Sequence, residues 1–243
     1  ITRVVDRDGS IILPRVGKIP CAGRTLADID GSIRKQLARS HASIDVDGYE
    51  GEDEGDTFVE VTLGHLRVIR VFVIGEGVRP GSYELSSAST ILTALYAAGG
   101  PSELGSFRDV RLVRGGETVA SLDLYEYLLS GTRDADARLQ EGDTVFIPGR
   151  GPTVSITGGV HRPLRFEMKA GQGLSDLIRY AGGFRATAAP EIIHIQRIVP
   201  LGGREPGQAD QVMLDVPFDP VAMRTADGHD LPLRDGDLVT ITD

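Results

Sequence analysis

Few residues in this sequence are of the types and spacings that could do chemistry. Gly75-Glu-Gly-Val-Arg-Pro-Gly81 has the glycine density of a loop that cradles a nucleotide phosphate. Its spacing does not match the dinucleotide pattern, however. Pro80 cannot donate an N–H, and the next residues read as a strand where a helix would be needed. Glu50, Glu52, Glu54 and Gly55 mimic the first half of a calcium loop, but Val61 stands where a bidentate carboxylate is required, so a solvated loop is expected. The histidines (His41, His65, His161, His194, His229) stand singly, with no pair at metal-ligand spacing and no cysteine pair beside them. Glu84 and Glu167 are a duplicated carboxylate pair, as glycoside hydrolysis would use. Each sits in its own strand, however, and reads as a surface position. Asp143 and Asp237 follow glycines and read as turn residues bonding their own backbone. Cys21, the single cysteine, sits among Ile-Pro and Ala-Gly and reads as a small buried side chain at a strand end. The sequence therefore assigns no catalytic residue, cofactor or metal ligand, and it leaves ligand-binding residues unidentified.

The bulk properties agree with a binding or structural role. A chain of 243 residues can form two or three compact domains. Its net charge of −9 argues against general nucleic-acid binding, which needs a basic face. One cysteine excludes an intrachain disulfide, and no apolar stretch approaches the roughly 20 residues of a membrane helix. With no Trp and six Tyr, the chain also lacks the aromatic platforms on which tight lectins stack sugars.

The elements that must position these residues come in two copies. A shift of 83 residues lays Gly75 to Leu85 over Gly158 to Met168, matching Arg79-Pro80 with Arg162-Pro163 and Tyr83-Glu84 with Phe166-Glu167. The same shift lays Ala98-Gly99-Gly100 over Ala181-Gly182-Gly183, and Val110 to Arg114 over Ile193 to Arg197. The register then slips by about ten residues across the loop Gly202 to Asp210, so that Leu139 to Asp143 meets Leu233 to Asp237. Each copy reads as strand, Arg-Pro turn, strand, helix, strand, strand and a last strand entered through Gly-Asp. The helices are expected over Thr90 to Ala98, capped by Ser89, and over Gly173 to Ala181. A short helix, Tyr125 to Ser130, is expected between the strand pair and the last strand of this order. This is the order of a β-grasp, in which a small sheet wraps one helix.

The first 66 residues differ. Val4 to Leu13 reads as a hairpin turning at Asp8-Gly9. Thr25 caps a helix running to about Ala38, with Leu26, Ile29, Ile33 and Leu37 as its buried stripe. Two strands flank an excursion, Glu50 to Glu60, that holds six acids and no base. The chain begins at Ile1 inside an expected strand, which suggests a processed or truncated piece. A fold of class α+β is expected, with boundaries at 1–66, 67–150 and 151–243 and with Gly149-Arg-Gly-Pro152 as the linker between repeats.

These residues carry a family resemblance. Asp8-Gly9-Ser-Ile11-Ile-Leu13-Pro14-Arg-Val16-Gly17, with Gly23-Arg-Thr25-Leu26 opening a helix, resembles the C-terminal half of a polysaccharide-export domain. The paired Gly…Arg-Pro and Ala-Gly-Gly blocks, each closed by Leu-x-x-Gly-Asp, resemble SLBB domains, the soluble-ligand-binding β-grasp. In this order they are similar to the Wza-like outer-membrane polysaccharide export family. The resemblance implies a non-enzymatic, homo-oligomeric lipoprotein, periplasmic and attached to the outer membrane. Its stacked rings would pass capsular polysaccharide or exopolysaccharide, above an inner-membrane polysaccharide co-polymerase and kinase. The family's lipidated cysteine, the start of its export domain and its C-terminal membrane helix have no counterpart between Ile1 and Asp243, and the acidic insert departs from its pattern. Two other readings compete: a periplasmic β-grasp module that binds a glycan or small soluble ligand, and an accessory subunit of an enzyme.

Overall fold

Period-2 alternation writes the strands of both repeats. Ile69, Val71 and Val73 point inward while Val68, Arg70 and Phe72 point outward, so one face of each strand is committed to a core. The computed structural model describes residues 2–6, 8–14, 16–39, 59–200, 202, 204, 209–225 and 228–243. The chain divides into two compact units, Ile1–Arg67 and Val68–Asp243. Among the described residues no helix is long and apolar enough to cross a membrane.

In the first unit, strands β1 (Ser10–Leu13) and β2 (Gly17–Pro20) pair antiparallel, and helix α1 (Leu26–Ala38) comes after them. The Asp8-Gly9 turn forms, with Gly9 at φ +71° and Asp6 Oδ1 accepting the N–H groups of Asp8 and Ser10. It is not the tip of the hairpin, however. Val4 and Val5 form no strand, and β1 turns back after Leu13 onto β2, whose Gly9-bonded end (Cys21 and Ala22 N–H to Gly9 O) closes the turn from outside. Thr25 caps α1 as expected, accepting from Asp28 N while Asp28 accepts from Thr25 N. Ile33 is buried against Ile11, Ile19 and Cys21, with Ile29 and Leu37 partly buried beside them; Leu26, in the first turn and outside this cluster, is exposed, contrary to expectation. Cys21 is buried, as its flanks suggest. Most of the acidic excursion (50–58), the upstream strand expected before it and His41 lie outside the described residues; residues 59–67 form no strand.

The second unit holds two sheets of the same plan. The first comprises β3 (Val68–Gly75), β4 (Gly81–Ser86), β5 (Val110–Arg114), β6 (Glu117–Leu122) and β7 (Thr144–Ile147), in the order β4-β3-β7-β5-β6. The other comprises β8 (Thr153–Gly158), β9 (Arg165–Glu167), β10 (Ala189–Ile198), β11 (Gln211–Asp219), β12 (Arg224–Thr225) and β13 (Leu238–Thr242), in the order β9-β8-β13-β10-β11-β12. In both, the first and last strands pair in parallel and the rest antiparallel. Helices α2 (Ile91–Ala98) and α4 (Leu174–Tyr180) each bury their apolar face in the core of their own sheet. Fold class α+β with tandem β-grasp domains is what the sequence predicts.

The copies share details that the repeat pattern implies. Arg79 N donates to Ala98 O and Arg162 N to Ala181 O, stitching each Arg-Pro turn onto the end of its helix. Gly75 and Gly158 both have positive φ, and a Cβ there would lie 2.1 Å from Ile147 O and 1.8 Å from Ile241 O. Only glycine allows that approach. The helix starts differ from expectation. Thr90, not Ser89, occupies the N-cap of α2, and the first free N–H groups are satisfied from far along the chain: Ile91 N donates to Ala137 O and Leu92 N to Asp136 Oδ1. The second copy repeats this, Leu174 N to Leu231 O and Ser175 N to Asp230 Oδ1. In place of the helix α3 (Leu124–Ser130) that the first copy inserts after β6, the second has a turn and the two-residue β12.

Candidate functional site at the junction of the two repeats

The duplicated Gly-Asp positions are more than turns. Asp143 and Asp237 are almost fully buried, each in a two-pronged ion pair with an arginine of the adjoining strand. Arg114 Nε and Nη2 donate to Asp143 at 2.8 and 2.7 Å; Arg197 Nε and Nη2 donate to Asp237 at 3.0 and 2.7 Å. Each Asp also accepts a backbone N–H, from Gln140 or Arg234, so the backbone bond expected of a turn aspartate is present. Burial would raise the Asp143 carboxyl's pKa, but the hydrogen bonds from Arg114 and Gln140 outweigh it and hold the group below the ordinary value. These pairs lock the last strand of each sheet and are structural.

Glu84 and Glu167 part company. Glu84 is exposed and pairs with Arg70 at 3.2 Å, as a surface position should. Glu167 is buried, contrary to expectation, because the first repeat covers it. Its carboxylate accepts from Ser106 Oγ (2.8 Å), Phe107 N (2.9 Å) and Gly151 N (2.8 Å), and its own N–H donates to Tyr125 Oη at 3.0 Å. The histidines are not brought together among the described residues. His194 bonds Asp215 across β10 and β11, and His161 and His229 lie in separate turns. No group of three metal-ligating side chains forms among the described residues.

Around Glu167 the two repeats share one polar network. Arg108, 2% exposed, reaches from the first repeat into the second. Its Nε donates to both oxygens of Asp123 at 2.9 Å, Nη1 to Glu167 O (3.0 Å) and Gln172 Oε1 (3.1 Å), and Nη2 to Tyr180 Oη (3.2 Å). The guanidinium also lies over the rings of Tyr125 (4.6 Å) and Tyr180 (5.1 Å), which themselves meet edge-on at 5.3 Å. Lys169 Nζ closes the circuit on Asp123 at 2.7 Å. Burial opposes charge on Arg108, yet the bonds to Asp123 more than restore it and its pKa rises. Burial likewise pushes the Asp123 carboxyl up, and Arg108 and Lys169 together bring it below the ordinary value.

Local sequence explains who stands here. Asp123 follows β6 directly and is the N-cap of α3, accepting from Tyr125 N at 3.0 Å, so the helix start points both Asp123 and Tyr125 at the second repeat. The stretch expected to be a linker is pinned: Gly105 bridges Gly149, Arg150 N donates to Leu104 O, and Gly151 N reaches Glu167. Sequence reasoning missed Arg108, Asp123, Tyr125 and Tyr180. The available signal was divergence just beside the matched blocks, since the 83-residue shift sets Arg108 against Glu191 and Tyr180 against Ala97. The arrangement offers no free nucleophile or acid–base pair; it fixes one repeat to the other.

Known proteins resemble this chain along most of its length. The model of the polysaccharide biosynthesis/export protein family matches residues 2–47, and that of the SLBB domain matches twice, over 70–123 and 153–208. This export, SLBB, SLBB order is the one the resemblance implies. Among its relatives, the polysialic acid transport protein KpsD of Escherichia coli is 27% identical over 166 residues, 68% of this chain. The EPS I polysaccharide export outer membrane protein EpsA of Ralstonia nicotianae is 29% identical over 237 residues, 96% of this chain, and that of Ralstonia solanacearum is 28% identical over the same length. The matched region spans 27% of KpsD and 57% of the first EpsA. These relatives are named as transport and export proteins, not as enzymes. Both SLBB matches fall on the two sheets, one on each side of the Arg108 network.

Proposed function

We propose that this chain is the periplasmic part of a capsular polysaccharide or exopolysaccharide exporter, contributing a wall segment to a conduit that leads to the outer membrane. The observation that carries this reading is the Arg108–Asp123–Glu167 junction within an export-domain, SLBB, SLBB order. A conduit wall needs consecutive modules held at one angle, and a buried, fully bonded junction supplies that. In the full-length protein, the reading assigns copies of the chain to a homo-oligomeric ring, polymer to its lumen and an inner-membrane polysaccharide co-polymerase and kinase beneath it. It assigns the chain no catalysis.

One observation favours the binding-module alternative. Thr157, Thr240, His194 and Asp215 are register partners across β8, β13, β10 and β11, a row of hydroxyl, imidazole and carboxylate groups on the outer face of the second sheet. Such a row suits sugar hydroxyls. The test expresses the full-length protein carrying Arg108→Ala with Glu167→Ala in a producing strain and measures surface polysaccharide. The conduit reading expects a large loss with the protein present at wild-type level in the envelope. Normal surface polymer, combined with a loss on replacing Thr157, Thr240 and His194 by alanine, would overturn it in favour of a glycan-binding module.

A further inference from the structure

The junction is built once, but the duplication supplies its outward half twice. The 83-residue shift places Glu191 where the first repeat has Arg108. Strand register extends the equivalence: Val110 faces Leu122 and Ile193 faces Val216, so the next positions, Asp123, Leu124 and Tyr125, correspond to Pro217, Phe218 and Asp219. The match is physical as well as numerical, because Leu124 and Phe218 are both buried in their cores. In the first repeat this surface is covered by β9 and the residues just after it. In the second repeat the same surface is an open pocket of about 510 Å³, lined among others by Glu191, Pro217, Phe218, Asp219, Ala222 and Arg224.

Two of the three charged side chains at this surface stand unpaired among the described residues. The side chains of Glu191 and Arg224 have no hydrogen-bond or ion-pair partner among the described residues. Asp219 uses Oδ1 to accept the N–H groups of Val221 and Ala222. The first repeat presents a cation, Arg108, to a carbonyl of the second and an anion, Asp123, to its Lys169. The second repeat presents Glu191 and Asp219, with Arg224 beside them. The leading charge is reversed, so whatever covers this surface brings the cation.

We propose that this pocket is a docking socket for a further protein module, one that offers a strand-edge segment carrying a lysine or arginine to Glu191. Polypeptide is the occupant because polypeptide fills the equivalent surface of the first repeat, through backbone groups as much as side chains. Sequence identity between the two sockets is low because each is matched to a different occupant, whereas the cores beneath them share one plan.

The test places a photoreactive benzophenone amino acid at Ala222 of the full-length protein in polymer-producing cells, with a control at exposed Asp134. Cross-linked peptides are mapped by mass spectrometry. A cross-link to one protein segment with a Lys or Arg at the contact is expected, at least tenfold above the control position. Glu191→Arg should cut its yield at least tenfold, and changing the mapped cation to Glu in that background should restore it. Because Glu191 is exposed, the variant should melt as the wild type does; if it does not, Glu191→Gln, with a smaller but measurable loss of yield, replaces it. Background-level cross-linking, capture only of glycan or lipid, or a yield indifferent to residue 191 would overturn the proposal. None of these outcomes bears on the export reading, which is tested by surface polymer.

Discussion

Removing Arg108 isolates the junction. Arg108→Ala deletes a guanidinium that is 2% exposed and bonded to Asp123, Glu167 O, Gln172 and Tyr180. Breaking a buried pair by removing one partner typically costs about 3–5 kcal/mol, because the other charge is left without compensation. Here Lys169 still holds Asp123, and Asp123 is 14% exposed, which brings the cost to the lower end, about 3 kcal/mol. For a unit of this size, each kcal/mol shifts Tm by about 2–4 °C, so a fall of about 6–12 °C is expected. The assay is thermal and urea unfolding of the wild type, Arg108→Ala, Asp123→Ala and the double variant. The two single costs should fail to add by roughly 0.5–3 kcal/mol, the range of side chains sharing one network. A Tm change under about 2 °C, or strict additivity, would refute the claim that this network joins the repeats.

Other consequences can be checked in the same preparation. Gly75→Ala and Gly158→Ala should each destabilise by at least about 2 kcal/mol, since both combine positive φ with a Cβ driven into a carbonyl oxygen, while Gly81→Ala, with open space, should be near neutral in urea titration. Asp237→Ala strands Arg197, which is largely buried, and should cost about 3 kcal/mol or more by the same unfolding assay. Asp123 and Asp143 have lowered folded-state pKa values, so the unfolded chain binds protons first. Their contribution is complete above the ordinary value of 3.8 and is lost as pH falls below it, and Asp123→Asn should flatten the acid limb of a stability-versus-pH curve. Limited proteolysis should spare the 149–152 peptide bonds until global unfolding, because their N–H groups are bonded to Leu104 O and Glu167.

Local and periodic features of this protein were legible in its sequence. Alternation in Val68–Gly75 names a strand and its buried face, the Gly-Gly pairs name helix ends, and the 83-residue shift names a duplicated β-grasp, because each rests on backbone geometry repeated within a few residues. The order of export and SLBB motifs was legible too, and the family models match where those motifs stand. What the tertiary structure decided is everything that depends on distant residues meeting. Glu84 and Glu167 are equivalent in the repeat, yet only Glu167 is buried, since the first repeat covers that strand edge and nothing in the strand itself records it. Leu92 is capped by Asp136 and Ser175 by Asp230, acids 44 and 55 residues away, so inspecting the residue before the helix pointed to Ser89. Asp8-Gly9 makes its turn, but which strand pairs with Ser10–Leu13 was settled by packing of Ile11 and Ile19 over Ile33. Periodicity reports which way a side chain points from its own backbone; what waits there is fixed only when the chain has closed on itself.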